Sequence, residues 1–249
     1  APPYDVVSTE EARELAAGRP QSFLRISRPE IDLPPGSSPY SDAAYAQGAS
    51  SLARLIDAGI LVRDGAPSFY VYRMVMAGHT QTGVAFVGSV SAYEQQRIRR
   101  HELTRPDKEN DRVRNITALN AQTGPVLLAY RANATISALI RATTDAPPLF
   151  AVTGPNDVLH TVWRVAAPAD VSAFATAFNS LDALYIADGH HRSAAAARVA
   201  AARRSATDAS HEFFLAVAFP HDEMQILDYN RVIRDLNGLS PDELLTRIR

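Results

Sequence analysis

Apolar residues along the chain fall into two alternating kinds of pattern. Compact runs rich in Val, Ile, Phe and Tyr predict strands at Phe69 to Met76, Gly83 to Val90, Pro125 to Tyr130, Val158 to Val165, Tyr185 to Ala187 and Phe213 to Phe219. Two shorter strands are expected at Ser22 to Ile26 and Gln225 to Leu227. The first pair of long runs reads as an antiparallel hairpin around Gly78-His79-Thr80-Gln81. Helical spacing predicts Thr9 to Ala17, Ser41 to Ala58, Ser91 to Arg100, Pro106 to Leu119, Ala134 to Arg141 and Pro168 to Phe178. In Ser41 to Ala58, residues Ala44, Ala49, Leu52, Leu55 and Ile56 fall near one face, and Gly59 ends the helix. Arg28 to Pro39 reads as a loop, Ala194 to Ala202 as a closely packed alanine helix, and Trp163 as core. Strands alternating with helices predict an α/β fold, α+β with a mixed sheet.

The organisation expected is one α/β domain over residues 1–249, divided if at all into sub-lobes 1–90 and 91–239. The last ten residues carry a helix start: Ser240 as cap, Pro241 at the first position, Asp242 and Glu243 in the first turn. The chain stops there, so it is expected to be a fragment of a longer protein.

Composition narrows the chemistry. The chain is 46% hydrophobic with a formal net charge of -2, which does not suit a nucleic-acid-coating surface. No cysteine is present, so disulfides, cysteine-ligated zinc and thiol catalysis are excluded. No apolar run of about 18 residues occurs, so no membrane span is expected, and the start lacks a signal-peptide layout. The expected location is cytoplasmic.

The strand Tyr185-Ile186-Ala187 runs into Asp188-Gly189-His190-His191-Arg192 and then into the alanine helix. A helix start offers free N–H groups and the positive end of the dipole, so this junction is an anion site before side chains are counted. Gly189 permits a positive φ. Arg192 can fork onto a phosphate. Asp188 can hold Mg2+ or orient a hydroxyl, and the histidines can donate to phosphate or shuttle a proton. Helix capping accounts for Asp188 alone. It does not account for three cationic or near-cationic groups where cations are disfavoured. His190 and His191 are adjacent, which suits joint zinc ligation poorly.

A second cluster, His101-Glu102-Leu103-Thr104-Arg105-Pro106-Asp107-Lys108, follows a polar helix and breaks at Pro106. Glu102 suits a general base, and Thr104, Arg105 and Lys108 suit phosphate contacts. On composition alone it reads as a solvated charged surface, because Arg97, Arg99, Arg100, Glu109, Asp111 and Arg112 surround it. His79, His160, His211 and His221 read as surface or hydrogen-bonded histidines.

Taken in order, Arg28-Pro29-Glu30, Pro67 to Tyr72, His101 to Thr104, Tyr185 to Arg192 and Leu227 to Arg231 resemble a large bacterial family, domain of unknown function 1015. The resemblance covers nearly the whole chain. More distantly, Asp-Gly-His-His-Arg preceded by His-Glu is similar to the free L-serine kinases of the ParB/sulfiredoxin-like group. That likeness implies a ParB/sulfiredoxin-like core with large insertions, and ATP or ADP with Mg2+ as cofactors. The partner it implies is a small, serine-like hydroxyl substrate, with no nucleic acid and no membrane. It implies Glu102 as base, Asp188 as second acid and magnesium holder, and His191 as catalytic. Gly189, His190, Arg192, His101, Thr104 and Arg105 would meet the nucleotide. The chain departs from those kinases in the longer interval between Glu102 and Asp188 and in Ser193, where they carry an aromatic. The alternatives are a ParB-like nucleotide-binding regulatory module and a nucleotide hydrolase.

Overall fold

The computed structural model describes residues 2, 4–204, 207–228, 230 and 232–248. Its strands are β1 (Phe69–Met76), β2 (His79–Ser89), β3 (Ile98–Arg99), β4 (Val126–Tyr130), β5 (Phe150–Thr153), β6 (Leu159–Val165), β7 (Leu184–Asp188) and β8 (Phe213–Pro220). They form one mixed sheet in the order β3-β7-β4-β8-β2-β1-β6-β5. Pairing is antiparallel except for β3 with β7 and β4 with β8. The helices are α1 (Thr9–Ala16), α2 (Leu24–Ser27), α3 (Asp42–Asp57), α4 (Val90–Glu94), α5 (Pro106–Leu119), α6 (Ala134–Thr144), α7 (Pro168–Asn179), α8 (His190–Ala202) and α9 (Pro241–Ile248). The expected mixed α/β class is therefore observed. Among the described residues, no helix is long and apolar enough to cross a membrane.

One core runs along the sheet. Val71, Val84, Leu128, Ile186, Phe214 and Ala216 are among its buried strand residues, and Phe174 and Phe178 of α7 close over it. Trp163 is buried, and its indole N–H donates to the Ala146 carbonyl at 2.9 Å. α8 packs on β4, β8 and α5, and α3 packs outside α5. The buried face of α8 is made of Ser193, Ala194, Ala195, Ala196, Val199 and Ala200. Such small side chains let the helix axis approach its neighbours closely, so its N-terminus is held rigidly.

Capping follows the sequence closely. Ser8 and Glu11 form a reciprocal capping box on α1. Ser41 caps α3, and Ser240 with Glu243 does the same for α9.

Several expectations change. Ser22 to Ile26 is not a strand: Leu24–Ser27 forms one helical turn, because Ser27 and Arg28 bond back to the carbonyls of Phe23 and Leu24. The Arg28 to Pro39 loop contains a 3-10 turn at Pro29–Asp32 that buries Glu30. The hairpin is tighter than expected. Only Ala77 and Gly78 link the strands, both at positive φ (48° and 81°), as a two-residue turn that follows the strand twist requires. The polar helix Ser91 to Arg100 stops at Glu94. Gln96 turns to φ 61°, and Ile98–Arg99 joins the sheet instead. β5, an exposed edge strand, lies where no strand was expected. Gln225 to Leu227 has no regular structure. Within Leu227 to Arg231, Tyr229 and Arg231 lie outside the described residues.

Candidate functional site

The two sequence clusters meet because of one short pairing. β3 runs parallel to β7, with Ile98 opposite Leu184 and Arg99 opposite Tyr185. Glu102 lies three residues beyond Arg99, and Asp188 three beyond Tyr185. Parallel strands in register deliver equal offsets to the same end of a sheet, so both clusters emerge side by side.

The turn itself is built around Gly189, at φ 100° and ψ 27°. A Cβ at this position would stand 3.2 Å from the Cα of Val126 and 3.2 Å from Nε and Cζ of Arg192. Glycine is thus needed for both its backbone angle and its closeness to β4. Among the described residues no side chain caps α8, so its first-turn N–H groups have no capping partner there. Asp188 does not serve as a cap. Its carboxylate pairs with Arg192, whose guanidinium also donates to the Pro125 carbonyl at the start of β4. This arrangement answers the misfit of an arginine at a helix N-terminus: Asp188 balances its charge and Pro125 fixes its direction.

His190 is 4% exposed, and its Nδ1 lies 3.1 Å from Oε2 of Glu102. The His101 ring meets the His190 ring edge to face, with centroids 4.6 Å apart. Burial pushes the His190 pKa below its ordinary value of 6.5 and neighbouring His101 adds to this, while Glu102 and Asp188 oppose them. A neutral His190 donates from Nδ1 to Glu102, which leaves Nε2 as an acceptor; Nε2 is buried and has no partner among the described residues. His191 Nε2 accepts the Arg105 backbone N–H at 3.1 Å, so that ring nitrogen is unprotonated. The loop bearing the second cluster is therefore tied to the turn at two points, Glu102 on His190 and Arg105 on His191.

Two predicted residues face elsewhere. The Thr104 hydroxyl, in the loop before α5, donates to Glu109 of that helix, and the Arg105 guanidinium pairs with exposed Asp107 at 2.8 Å. Among the described residues, no three His, Cys, Asp or Glu side chains gather as a metal-holding group.

Beside Arg192 opens a cavity of about 370 Å3, bordered by Thr123 and Gly124 and across it by Tyr4, Arg112 and Asn115. A polar recess of about 120 Å3 beyond Arg112 ends at Glu30. Sequence reasoning missed this wall. Asp111 and Arg112 sit in a helix so charged that it reads as solvated, yet Asp111 is 6% exposed. Their only signal was an Asp-Arg pair on the face of α5 that also carries buried Asn115 and Leu119. A larger apolar cavity, about 680 Å3, lies between α7 and strands β1 and β2 and shares no residue with the turn. The smaller cavity borders the start of α8 through Arg192, and the larger one does not.

A family model described as "Protein of unknown function (DUF1015)" matches residues 1–249. No curated protein and no solved structure matches the chain.

Gly189→Ala should destabilise the fold by about 1–3 kcal/mol, from a forced positive φ and the contact with Val126. Urea unfolding checks this, and an unchanged midpoint would mean the turn is not held as described. The unfolded chain protonates His190 near its ordinary value of 6.5, the folded chain only below it, so acid favours unfolding. The contribution of neutral His190 is complete above pH 6.5 and is lost as the pH falls from there towards the lower folded value. His190→Gln should flatten that part of the stability–pH curve. Burial lowers His160 as well, so some slope of the same sign should remain.

Proposed function

We propose, starting from the fact that the chain belongs to the DUF1015 family of unknown function, that it is a nucleotide-dependent small-molecule kinase of the serine-kinase type. A ParB/sulfiredoxin-like core with large insertions is the fold reading that accompanies this function. The observation that carries the proposal is the meeting of Glu102 with the uncapped start of α8, through the 3.1 Å contact to His190.

Phosphoryl transfer needs positioning and charge neutralisation more than covalent chemistry from the protein. The first-turn N–H groups of α8 and the Arg192 guanidinium suit the phosphates of ATP or ADP. Gly189 lets that backbone come close, with His191 and His190 flanking it. Asp188 keeps 66% of its side chain exposed and, among the described residues, its carboxylate engages only Arg192. One such carboxylate together with phosphate oxygens fits the usual way Mg2+ is held. When bound, Mg2+ would supply neutralisation of phosphate charge. Glu102 is the base: its side chain is 61% exposed, and His190 holds it by one oxygen. The acceptor hydroxyl oxygen forms a new bond to the terminal phosphorus while the bond from that phosphorus to the bridging oxygen breaks. The nucleotide leaves with the electron pair of that bond, and the hydroxyl proton passes to Glu102. His101 packs on His190 and keeps it from swinging away, and Arg105 positions His191 by its backbone N–H.

Incubation with Mg2+, ATP or ADP and free serine or other hydroxylated metabolites should yield the phosphorylated acceptor. Glu102→Ala should lower kcat by about 10²–10⁴-fold with nucleotide binding retained. Calorimetric binding of nucleotide without transfer to any acceptor would favour a ParB-like regulatory module. Phosphate release without an acceptor would mark a hydrolase.

A further inference from the structure

The cavity beside Arg192 has a second arginine that the proposed phosphoryl transfer does not use. Arg112 of α5 lines both the 370 Å3 cavity and the polar recess behind it. Its side chain is only 11% exposed. Nε and Nη2 donate to Oδ2 of Asp111 at 2.9 and 2.6 Å. The other Asp111 oxygen accepts the Tyr45 hydroxyl at 2.7 Å. The Tyr4 ring covers the guanidinium face at 3.8 Å, and the Tyr4 carbonyl is itself held by Arg28 at 3.0 Å. Arg112 is thus fixed in direction on two sides, as a binding-site arginine must be if its entropy is to be spent before the ligand arrives. Its Nη1 makes no hydrogen bond within the described residues. Burial raises the pKa of the Tyr4 hydroxyl, while the charges of Arg112 and Arg192 both lower it. The two guanidinium groups therefore act on the same small space.

We propose that Arg112 is a second anion-binding residue of the site, and that the cavity between it and Arg192 takes a small hydroxylated carboxylic acid, carboxylate on Arg112 and hydroxyl toward the Asp188–Arg192 turn. This rests on the kinase reading for the fate of the hydroxyl, but not for the binding of the carboxylate. Asp111 already offsets much of the Arg112 charge, so a singly charged, planar carboxylate matches the remaining edge better than a phosphate does. The volume, about 370 Å3, lies at the small end of ligand sites, which suits a compact acid. Buried Asn115 and half-buried Thr123 border the same space as further polar groups.

The test is calorimetric titration without nucleotide, using two probe pairs that each differ by the carboxylate alone: D-glycerate against ethylene glycol, and L-serine against ethanolamine. At least one acid should bind, its carboxylate-free partner at least about tenfold more weakly, and Arg112→Gln should weaken that acid by about tenfold or more. ADP binding to the same variant should be unchanged. Arg112→Lys keeps the charge but replaces the planar, two-pronged guanidinium with a point charge that cannot fork onto a carboxylate, so it should also weaken the acid and serves if Arg112→Gln does not fold. The proposal is overturned if neither acid binds the wild type, if each binds no better than its partner, or if the folded variant binds the acid as tightly as wild type. Acid binding that depends on Arg112 in a protein that never transfers phosphate would instead sink the kinase reading and leave this site standing.

Discussion

The parallel pairing of Ile98–Arg99 with Leu184–Tyr185 is the constraint on which the site depends. It is only two residues long, yet it decides that Glu102 and Asp188 leave the sheet together. Without it, His101-Glu102 would be one more charged segment on a polar surface. With it, the Glu102 carboxylate reaches a nearly buried imidazole on the first turn of α8.

The remaining architecture serves to hold that helix start in place. The alanine face of α8 draws it onto β4, β8 and α5. Gly189 brings the turn so near Val126 that a Cβ would crowd it, and Arg192 pins it to Pro125. α5 then supplies the far wall of the adjoining cavity through Arg112 and Asn115. An uncapped helix start, an arginine with a balanced charge and a carboxylate at hydrogen-bonding distance thus stand together at one end of the sheet.

Much of this was legible in the sequence. Alternating apolar patterns gave the long strands and most helices, and cap chemistry located the start of α9. The strand–turn–helix at Asp188 to Arg192 was plain because so many chemically active residues share one short turn. What was not legible depends on distant partners. β3 carries no strand signal of its own: Gln96 breaks a polar helix by a local φ change, and Ile98–Arg99 is a strand only because β7 lies beside it. β5 likewise owes its form to β6. Asp111 and Arg112 read as solvent-facing because their neighbours are charged. Tertiary packing of α3 and the Tyr4 segment buries them, and no local pattern reports that.

The central claim is that the start of α8 binds the phosphates of a nucleotide next to Glu102. A crystal structure with ADP and Mg2+ tests it most directly. The account predicts phosphate oxygens within hydrogen-bonding distance of the first-turn N–H groups of α8 and of the Arg192 guanidinium, with Glu102 facing the open side of the terminal phosphate. Phosphates bound anywhere else, with the Asp188–Arg192 turn left untouched, would contradict it.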